Sequence, residues 1–132
     1  MRAIEVVNPG PHSSLVVRDV TEPTVAAVQV FRRPRSVSLR DAAAIPEAFI
    51  TAYANLVGEG RLAAGESVLI HGGASGVGTA AIQIAHALGA RVACTVGDDV
   101  KIDRCRALGA ELVVNYKKHD FAVEIARWIP EG

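Results

Sequence analysis

Near its centre the sequence reads Glu66-Ser-Val-Leu-Ile-His-Gly-Gly-Ala-Ser-Gly-Val-Gly-Thr-Ala-Ala-Ile-Gln-Ile-Ala-His-Ala-Leu-Gly89, which predicts a strand, a glycine-rich turn and a helix in succession. Residues 68–70 are a short run of branched apolar residues, which is typical of a strand buried on both faces of a parallel sheet. From Val77 onwards the apolar residues recur at helical spacing, and Gly89 supplies a stop signal.

The turn is Gly73-Ala-Ser-Gly76-Val-Gly78, which fits G-x-x-G-x-G and departs from the dinucleotide fingerprint G-x-G-x-x-G in having Ser75 at the middle glycine. The pattern predicts that Gly73 permits a sharp exit from the strand, that Gly76 lets the backbone approach a pyrophosphate, and that Gly78 lets the helix pack closely on the strand. The amides of this turn, with Ser75 and Val77 inside it, are therefore expected to hold a diphosphate at the helix N-terminus. A glycine turn without any ligand is the alternative.

Strand and helix patterns then alternate to the end of the chain, so the sequence predicts an α/β fold. Right-handed crossovers give a parallel sheet of order 3-2-1, which is half of a Rossmann dinucleotide-binding fold. An N-terminal β-hairpin and two helices that meet at Pro46 are predicted to precede it. The predicted strands are 1–7, 15–20, 68–70, 91–96 and 111–116, and the predicted helices are 42–44, 47–57, 77–88, 100–108 and 121–128.

Composition limits the classes of function. The 132 residues carry 14 basic and 14 acidic side chains and only 5% aromatic residues, so we expect no nucleic-acid partner. No apolar run approaches the ~20 residues of a membrane span, and no secretory signal is recognisable, so we expect a cytoplasmic protein without a membrane partner. The histidines are scattered, and Cys94 and Cys105 are expected to be small buried side chains, so no metal site is predicted.

The residues from Leu69 to Leu88, with Ala48 to Leu56 upstream, closely resemble the NADPH:quinone oxidoreductases (zeta-crystallin-like) of the zinc-independent medium-chain dehydrogenase/reductase superfamily. The resemblance extends from about Ser38 to the C-terminus and over the first 23 residues. It implies that residues 1–35 are a remnant of a GroES-like catalytic domain plus a linker, and that residues 36–132 are a partial Rossmann domain. Relative to the family, the chain is expected to be internally deleted and C-terminally truncated.

The resemblance also suggests the cofactor. Lys101 and Tyr116 match the residues with which the family contacts the 2′-phosphate of NADPH, and Val96 stands where NAD-specific sites place an acid. Thr51 and Tyr53 match positions near the nicotinamide. The alternatives are that Lys101 is a surface lysine, that Tyr116 is a tyrosine at a strand end, and that Tyr53 is a core aromatic side chain.

Asp98 and Asp99 weigh against this choice, since two carboxylates near a phosphate dianion would repel it. The matches at Lys101 and Tyr116 outweigh this repulsion, so NADPH is the expected cofactor, and NADH is not excluded.

The implied reaction is transfer of a hydride from NADPH to a small-molecule quinone or enone, without a metal. The catalytic residues are unknown, because the family's acceptor-side residues fall in the absent segment, and the isolated chain is expected to be weakly active or inactive. Two alternatives remain: an inactive nucleotide-binding fragment, and a protein that forms homo-oligomers through the exposed edge of the strand at 68–70.

Overall fold

The computed structural model describes residues 2–7, 14–19 and 32–130, which belong to two compact units, Met1–Pro34 and Arg35–Gly132. The first unit contains an antiparallel hairpin of β1 (Arg2–Val7) and β2 (Ser14–Asp19), in which Arg2 lies opposite Asp19. This hairpin confirms the two strands predicted at the N-terminus. The predicted turn between them and most of the linker before residue 32 lie outside the described residues.

The second unit is built from a three-stranded parallel sheet and the helices that cover it. The sheet has the order β3-β4-β5, with Ser67 beside Arg91 and Ala93 beside Leu112, which confirms the predicted 3-2-1 order and the half-Rossmann fold. Its elements are α1 (Leu39–Tyr53), a π-helical turn (Ala54–Glu59), β3 (Ser67–Ile70), α2 (Gly76–Ala87), β4 (Arg91–Val96), a 3₁₀ turn (Asp99–Lys101), α3 (Ile102–Ala107), β5 (Leu112–Asn115) and α4 (Phe121–Trp128).

The core forms around β4, the middle strand. Residues 92–96 are all buried, as expected of a strand with neighbours on both edges and helices over it. The helix α2 buries Ala80, Ile82 and Ala85, small or branched side chains that let it pack closely against its neighbours. Cys94 and Cys105 are both inaccessible, which confirms their predicted burial.

The region before the sheet differs from the prediction. The chain forms one helix, α1, that contains Pro46, where two helices separated at that proline were predicted. Pro46 cannot donate to the Ala42 carbonyl, but it is exposed, so solvent can supply the missing hydrogen bond and the helix continues. The predicted cap is present: the Ser38 hydroxyl accepts a hydrogen bond from the Asp41 amide at 3.0 Å. No helix within the described ranges is long and apolar enough to cross a bilayer.

Candidate functional site

The turn after β3 reverses the chain at Gly72. The sequence pattern assigns this sharp exit to Gly73, but the left-handed φ of +68° belongs to Gly72, so that assignment was wrong. Gly73 is required for packing, since a Cβ there would lie 2.6 Å from Cys94 Sγ and 3.3 Å from Ile82 Cδ1. Gly73 therefore lets the turn rest directly on β4.

Three of the amides in the turn are already engaged within the protein. The Gly73 amide donates to the carbonyl oxygen of Thr95 at 2.9 Å, and the Ser75 amide donates to that of Gly72 at 2.8 Å. The Gly78 amide donates to the Ser75 hydroxyl at 3.0 Å, so Ser75 is the N-cap of α2, a role that the sequence prediction missed. These three amides are therefore not available to a diphosphate, contrary to the prediction that the whole turn would hold one.

The amides of Ala74, Gly76 and Val77 remain. Among the described residues, none of these three donates a hydrogen bond. Two of them are the first two amides of α2, which point out of the helix N-terminus together with the positive end of the helix dipole. The turn therefore presents free donors suited to an anion.

The two glycines of the helix start have different surroundings. A Cβ at Gly76 would meet no atom within 4 Å, so the space beside the free amides is open. A Cβ at Gly78 would lie 2.3 Å from the carbonyl oxygen of Gly72 and 2.9 Å from Gly73 Cα. Gly78 thus packs the helix against the turn, where the sequence predicted close packing on the strand, and the structure leaves room at Gly76 for the predicted close approach of a ligand.

Thr95, near the end of β4, anchors the turn. Its hydroxyl accepts a hydrogen bond from the Gly72 amide at 3.2 Å and lies 3.2 Å from His71 Nδ1. The side chain is 2% exposed, so these contacts are made away from solvent. The sequence prediction missed Thr95, although a lone hydroxyl among the otherwise apolar residues 92–96 is a signal that could have found it.

An open groove of about 380 Å³ follows the carboxyl ends of the strands, and we call it the strand-end groove. It brings together three of the predicted site residues, namely Ser75, Lys101 and Tyr116, and it adds Lys117, which the sequence prediction missed. Among the described residues, neither lysine has an ion-pair partner. The residues lining the groove are Gly72, Ala74, Ser75, Val96, Gly97, Asp98, Lys101, Tyr116 and Lys117.

Tyr116 reaches the groove because residue 97 is a glycine. A Cβ at Gly97 would lie 2.7 Å from Tyr116 Oη and 3.1 Å from its Cζ, so the phenol ring packs directly over that backbone. The Tyr116 amide donates to the carbonyl of Val96 at 3.1 Å, which ties the end of β5 to the end of β4. The ring itself is 53% exposed and can meet a ligand.

The two adjacent aspartates are placed differently. Asp98 lines the groove, and its Oδ1 accepts a hydrogen bond from the Val100 amide at 3.2 Å. Asp99 is absent from the groove lining: it accepts a hydrogen bond from Asn115 Nδ2 at 2.6 Å and forms an ion pair with Lys118. The hydrogen bond from Asn115, followed by that from Lys118, lowers the pKa of Asp99 below its ordinary value. Of the two carboxylates expected to repel a 2′-phosphate, only that of Asp98 therefore lines the groove.

Thr51 and Tyr53 do not line the strand-end groove. Both lie on α1, where the Thr51 carbonyl accepts a hydrogen bond from Asn55 Nδ2 at 2.8 Å. Tyr53 is 55% exposed and borders an apolar cleft with Phe49 and Ile84, so it is not a core residue. Their proximity to a nicotinamide stays a prediction.

A second open cavity, of about 590 Å³, adjoins the groove and shares Gly72 and Tyr116 with it. Its far wall is formed by His71 and Phe121, whose rings meet edge to face with centroids 5.0 Å apart. Among the described residues, no group of three or more His, Cys, Asp or Glu side chains is arranged to hold a metal ion.

Comparison with known proteins relates this site to a group of oxidoreductases. Residues 76–132 match the family model described as zinc-binding dehydrogenase. Over 96 residues, the chain is 40% identical to the mycocerosic acid synthase-like polyketide synthase of Mycobacterium tuberculosis, a match that covers 73% of this chain and 5% of that protein.

Two solved structures extend the comparison. The Escherichia coli quinone oxidoreductase complexed with NADPH aligns at a TM-score of 0.70 and 33% identity, covering 74% of this chain and 30% of that one. The nucleotide-binding subdomain of the enoylreductase domain of PpsC from Mycobacterium tuberculosis aligns at a TM-score of 0.59 and 43% identity. That alignment covers 63% of this chain and 46% of the other. The chain thus spans less than half of each of these relatives. The family match and the structural neighbours show that this chain is similar to dehydrogenases, quinone oxidoreductases and enoylreductases.

Proposed function

We propose that the second unit binds NADPH in the strand-end groove, and that the protein is the cofactor-binding part of an NADPH-dependent oxidoreductase. The observation that carries this proposal is the set of three free amides at the glycine turn, one of which belongs to the groove-lining Ala74, together with two groove lysines that have no ion-pair partner among the described residues. One anion site at the glycine turn and a second at the groove lysines match the diphosphate and the 2′-phosphate of this dinucleotide.

The residues present fit the cofactor. The open space at Gly76 would admit the diphosphate, whose charge the N-terminus of α2 would stabilise. Lys101 and Lys117 would hold the 2′-phosphate, with Tyr116 as a further donor, while the carboxylate of Asp98 opposes them. Lysines outnumber carboxylates in the groove lining, which favours NADPH over NADH.

The proposed reaction is reduction of a small molecule in which a carbonyl is conjugated to a double bond, that is, a quinone or an enone. Bound NADPH would supply the hydride, and the protein would orient it. The enoylreductase and polyketide synthase relatives support an enone acceptor, and the quinone oxidoreductase structure supports a quinone. We assign no catalytic residue, and we keep as proposals the GroES-like origin of residues 1–35 and the contact of Thr51 and Tyr53 with the nicotinamide.

The test is a fluorescence titration with NADPH and, separately, with NADH. We expect Lys101→Ala to weaken NADPH binding about tenfold to a hundredfold and to leave NADH binding unchanged, because only NADPH carries the 2′-phosphate. The control is Arg104→Ala, which removes one exposed positive charge from α3 outside the groove. Absence of any NADPH binding at millimolar concentration would refute the proposal. Little oxidation of NADPH by a quinone or an enone is expected from this chain alone.

We also propose that the chain forms a homodimer, in which two copies pair through the edge of β3 that faces away from β4. Among the described residues, β4 is the only strand hydrogen-bonded to β3, and Ser67–Ile70 contains no charged side chain to discourage pairing. Two clefts lie beside this strand: an apolar one of about 360 Å³ lined in part by Leu69, and a mixed one of about 590 Å³ lined in part by Val68. The chain has zero net charge, so two copies would not repel each other strongly.

Light scattering would test the pairing. Ser67→Lys places a charge at an exposed position of the strand and is expected to lower the dimer fraction. Gln83→Lys adds the same charge on the exposed side of α2 and is expected to leave that fraction unchanged. A monomeric parent protein, or equal effects of the two variants, would count against pairing through this edge.

A further inference from the structure

The turns that follow β4 and β5 are connected by one chain of hydrogen bonds. It begins at Asp99, whose Oδ1 accepts from Asn115 Nδ2 at 2.6 Å. The other side-chain atom, Asn115 Oδ1, accepts from the Lys117 amide at 3.1 Å. Because Asn115 is only 5% exposed, water cannot easily replace either partner.

This connection acts on two residues of the strand-end groove. Tyr116 and Lys117 both line the groove, and they lie between Asn115 and Lys118, the two residues that contact Asp99. The acceptor on Asp99 determines which way the Asn115 amide group points, and that orientation presents Oδ1 to the Lys117 backbone. Without Asp99, the buried Nδ2 group would have to find another acceptor, and the side chain would be free to turn.

We propose that Asp99 is a positioning residue for cofactor recognition: its carboxylate fixes Asn115, which holds the turn that carries Tyr116 and Lys117 into the strand-end groove. Removal of this carboxylate then weakens the binding of a nucleotide 2′-phosphate. Simple charge repulsion gives the opposite sign, because a lost negative charge near a phosphate strengthens binding. The inference rests on the proposed function, because it concerns recognition of NADPH in that same groove.

The neighbouring aspartate provides a matched control. Asp98 and Asp99 each contribute one negative charge and each accept a hydrogen bond, but only Asp98 lines the groove and only Asp99 is also paired with Lys118. We expect Asp98→Ala to raise the ratio of NADPH to NADH affinity. We expect Asp99→Ala to lower that ratio about two- to tenfold, the effect of losing one hydrogen bond. The conservative variant Asp99→Asn keeps an acceptor for Asn115 and loses the charge, so it should restore the ratio to that of the parent or above.

Titrations of the parent and the three variants with both dinucleotides supply these ratios. A second measurement, hydrogen exchange at the Lys117 amide, should be faster in Asp99→Ala and unchanged in Asp98→Ala. The inference is overturned if Asp99→Ala raises the ratio as Asp98→Ala does, if it weakens both dinucleotides equally, or if the Lys117 amide remains as protected as in the parent. A parent that binds neither dinucleotide would refute the proposed function, and the exchange measurement would still test the positioning.

Discussion

Replacing Gly76 by alanine should separate ligand binding from folding. The new methyl group would meet no protein atom within 4 Å, and the φ of Gly76 is not left-handed, so alanine can adopt it. A strain-free Gly→Ala change usually stabilises a protein by about 0.4–1 kcal/mol. For a unit of roughly this size, that corresponds to a melting temperature higher by about 2–8 °C.

The same methyl group should impair cofactor binding. It would occupy the open space beside the free amides of Gly76 and Val77, where a phosphate oxygen would have to lie about 2.9 Å from the nitrogen. Loss of one hydrogen bond to a charged group costs about 1.5–3 kcal/mol, so NADPH affinity should fall about tenfold to a hundredfold. Gly76→Ala is therefore expected to be a stable protein that binds NADPH poorly.

Gly78→Ala is the contrasting change, because its methyl group would lie 2.3 Å from the Gly72 carbonyl oxygen and 2.9 Å from the Ser75 hydroxyl. Relief of such overpacking costs about 1–3 kcal/mol, and displacement of the Ser75 cap costs about 1 kcal/mol more. A total of roughly 2–4 kcal/mol should lower the melting temperature by about 8 °C or more.

Thermal unfolding followed by circular dichroism and NADPH titration by fluorescence, applied to both variants, complete the test. Two results would refute the reasoning. If Gly76→Ala is destabilised as much as Gly78→Ala, the space at Gly76 is not open. If it is stable and binds NADPH like the parent, the amides of this turn do not hold the diphosphate.

Three further predictions concern the same strand ends. Thr95→Val leaves the Gly72 amide without its side-chain acceptor and should lower the free energy of unfolding in urea by about 1–3 kcal/mol; an unchanged value would contradict the anchoring role. Gly97→Ala should displace the Tyr116 ring and weaken NADPH binding, and the effect should vanish in a Tyr116→Ala background; equal losses in both backgrounds would exclude this route. Burial, with a smaller contribution from Cys105, raises the pKa of Cys94 from 9.0 to about 12, so the folded state retains a proton that the unfolded state loses in this range. Stability should therefore fall as the pH rises from 9 to 12, less steeply in Cys94→Ala, and parallel curves would contradict the assignment.

The sheet could be predicted from the sequence because its signals are local. Branched apolar runs at 68–70, 91–96 and 111–116 alternate with helical patterns, and right-handed crossover then leaves one strand order. The helix at Pro46 could not be predicted in this way. Whether a proline ends a helix depends on whether its missing hydrogen bond is exposed to solvent, and that is a property of the packed structure.

The candidate site was predictable only in part. The glycine turn, Lys101 and Tyr116 could be named from the sequence, but Lys117 could not, because its position in the groove depends on how the end of β5 meets the end of β4. Likewise, Asp98 and Asp99 are equivalent neighbours as far as the sequence alone can tell. The contacts of Asp99 with Asn115, sixteen residues away, and with Lys118 distinguish the carboxylate outside the groove from the one inside it.

The sheet topology explains why this chain alone can be expected to bind NADPH, whereas reduction of an acceptor is not expected of it. Every residue that lines the strand-end groove comes from the ends of β3, β4 and β5 or the loops that follow them, because the carboxyl ends of parallel strands meet at one edge of the sheet. The three-stranded unit therefore contains both proposed phosphate sites within itself, whereas none of its described residues has been assigned to the acceptor. Variants of Gly76 and Lys101 should accordingly change the dissociation constant of NADPH in this chain alone. We predict that addition of a quinone or an enone leaves that constant unchanged, because the proposed phosphate sites are complete without the acceptor.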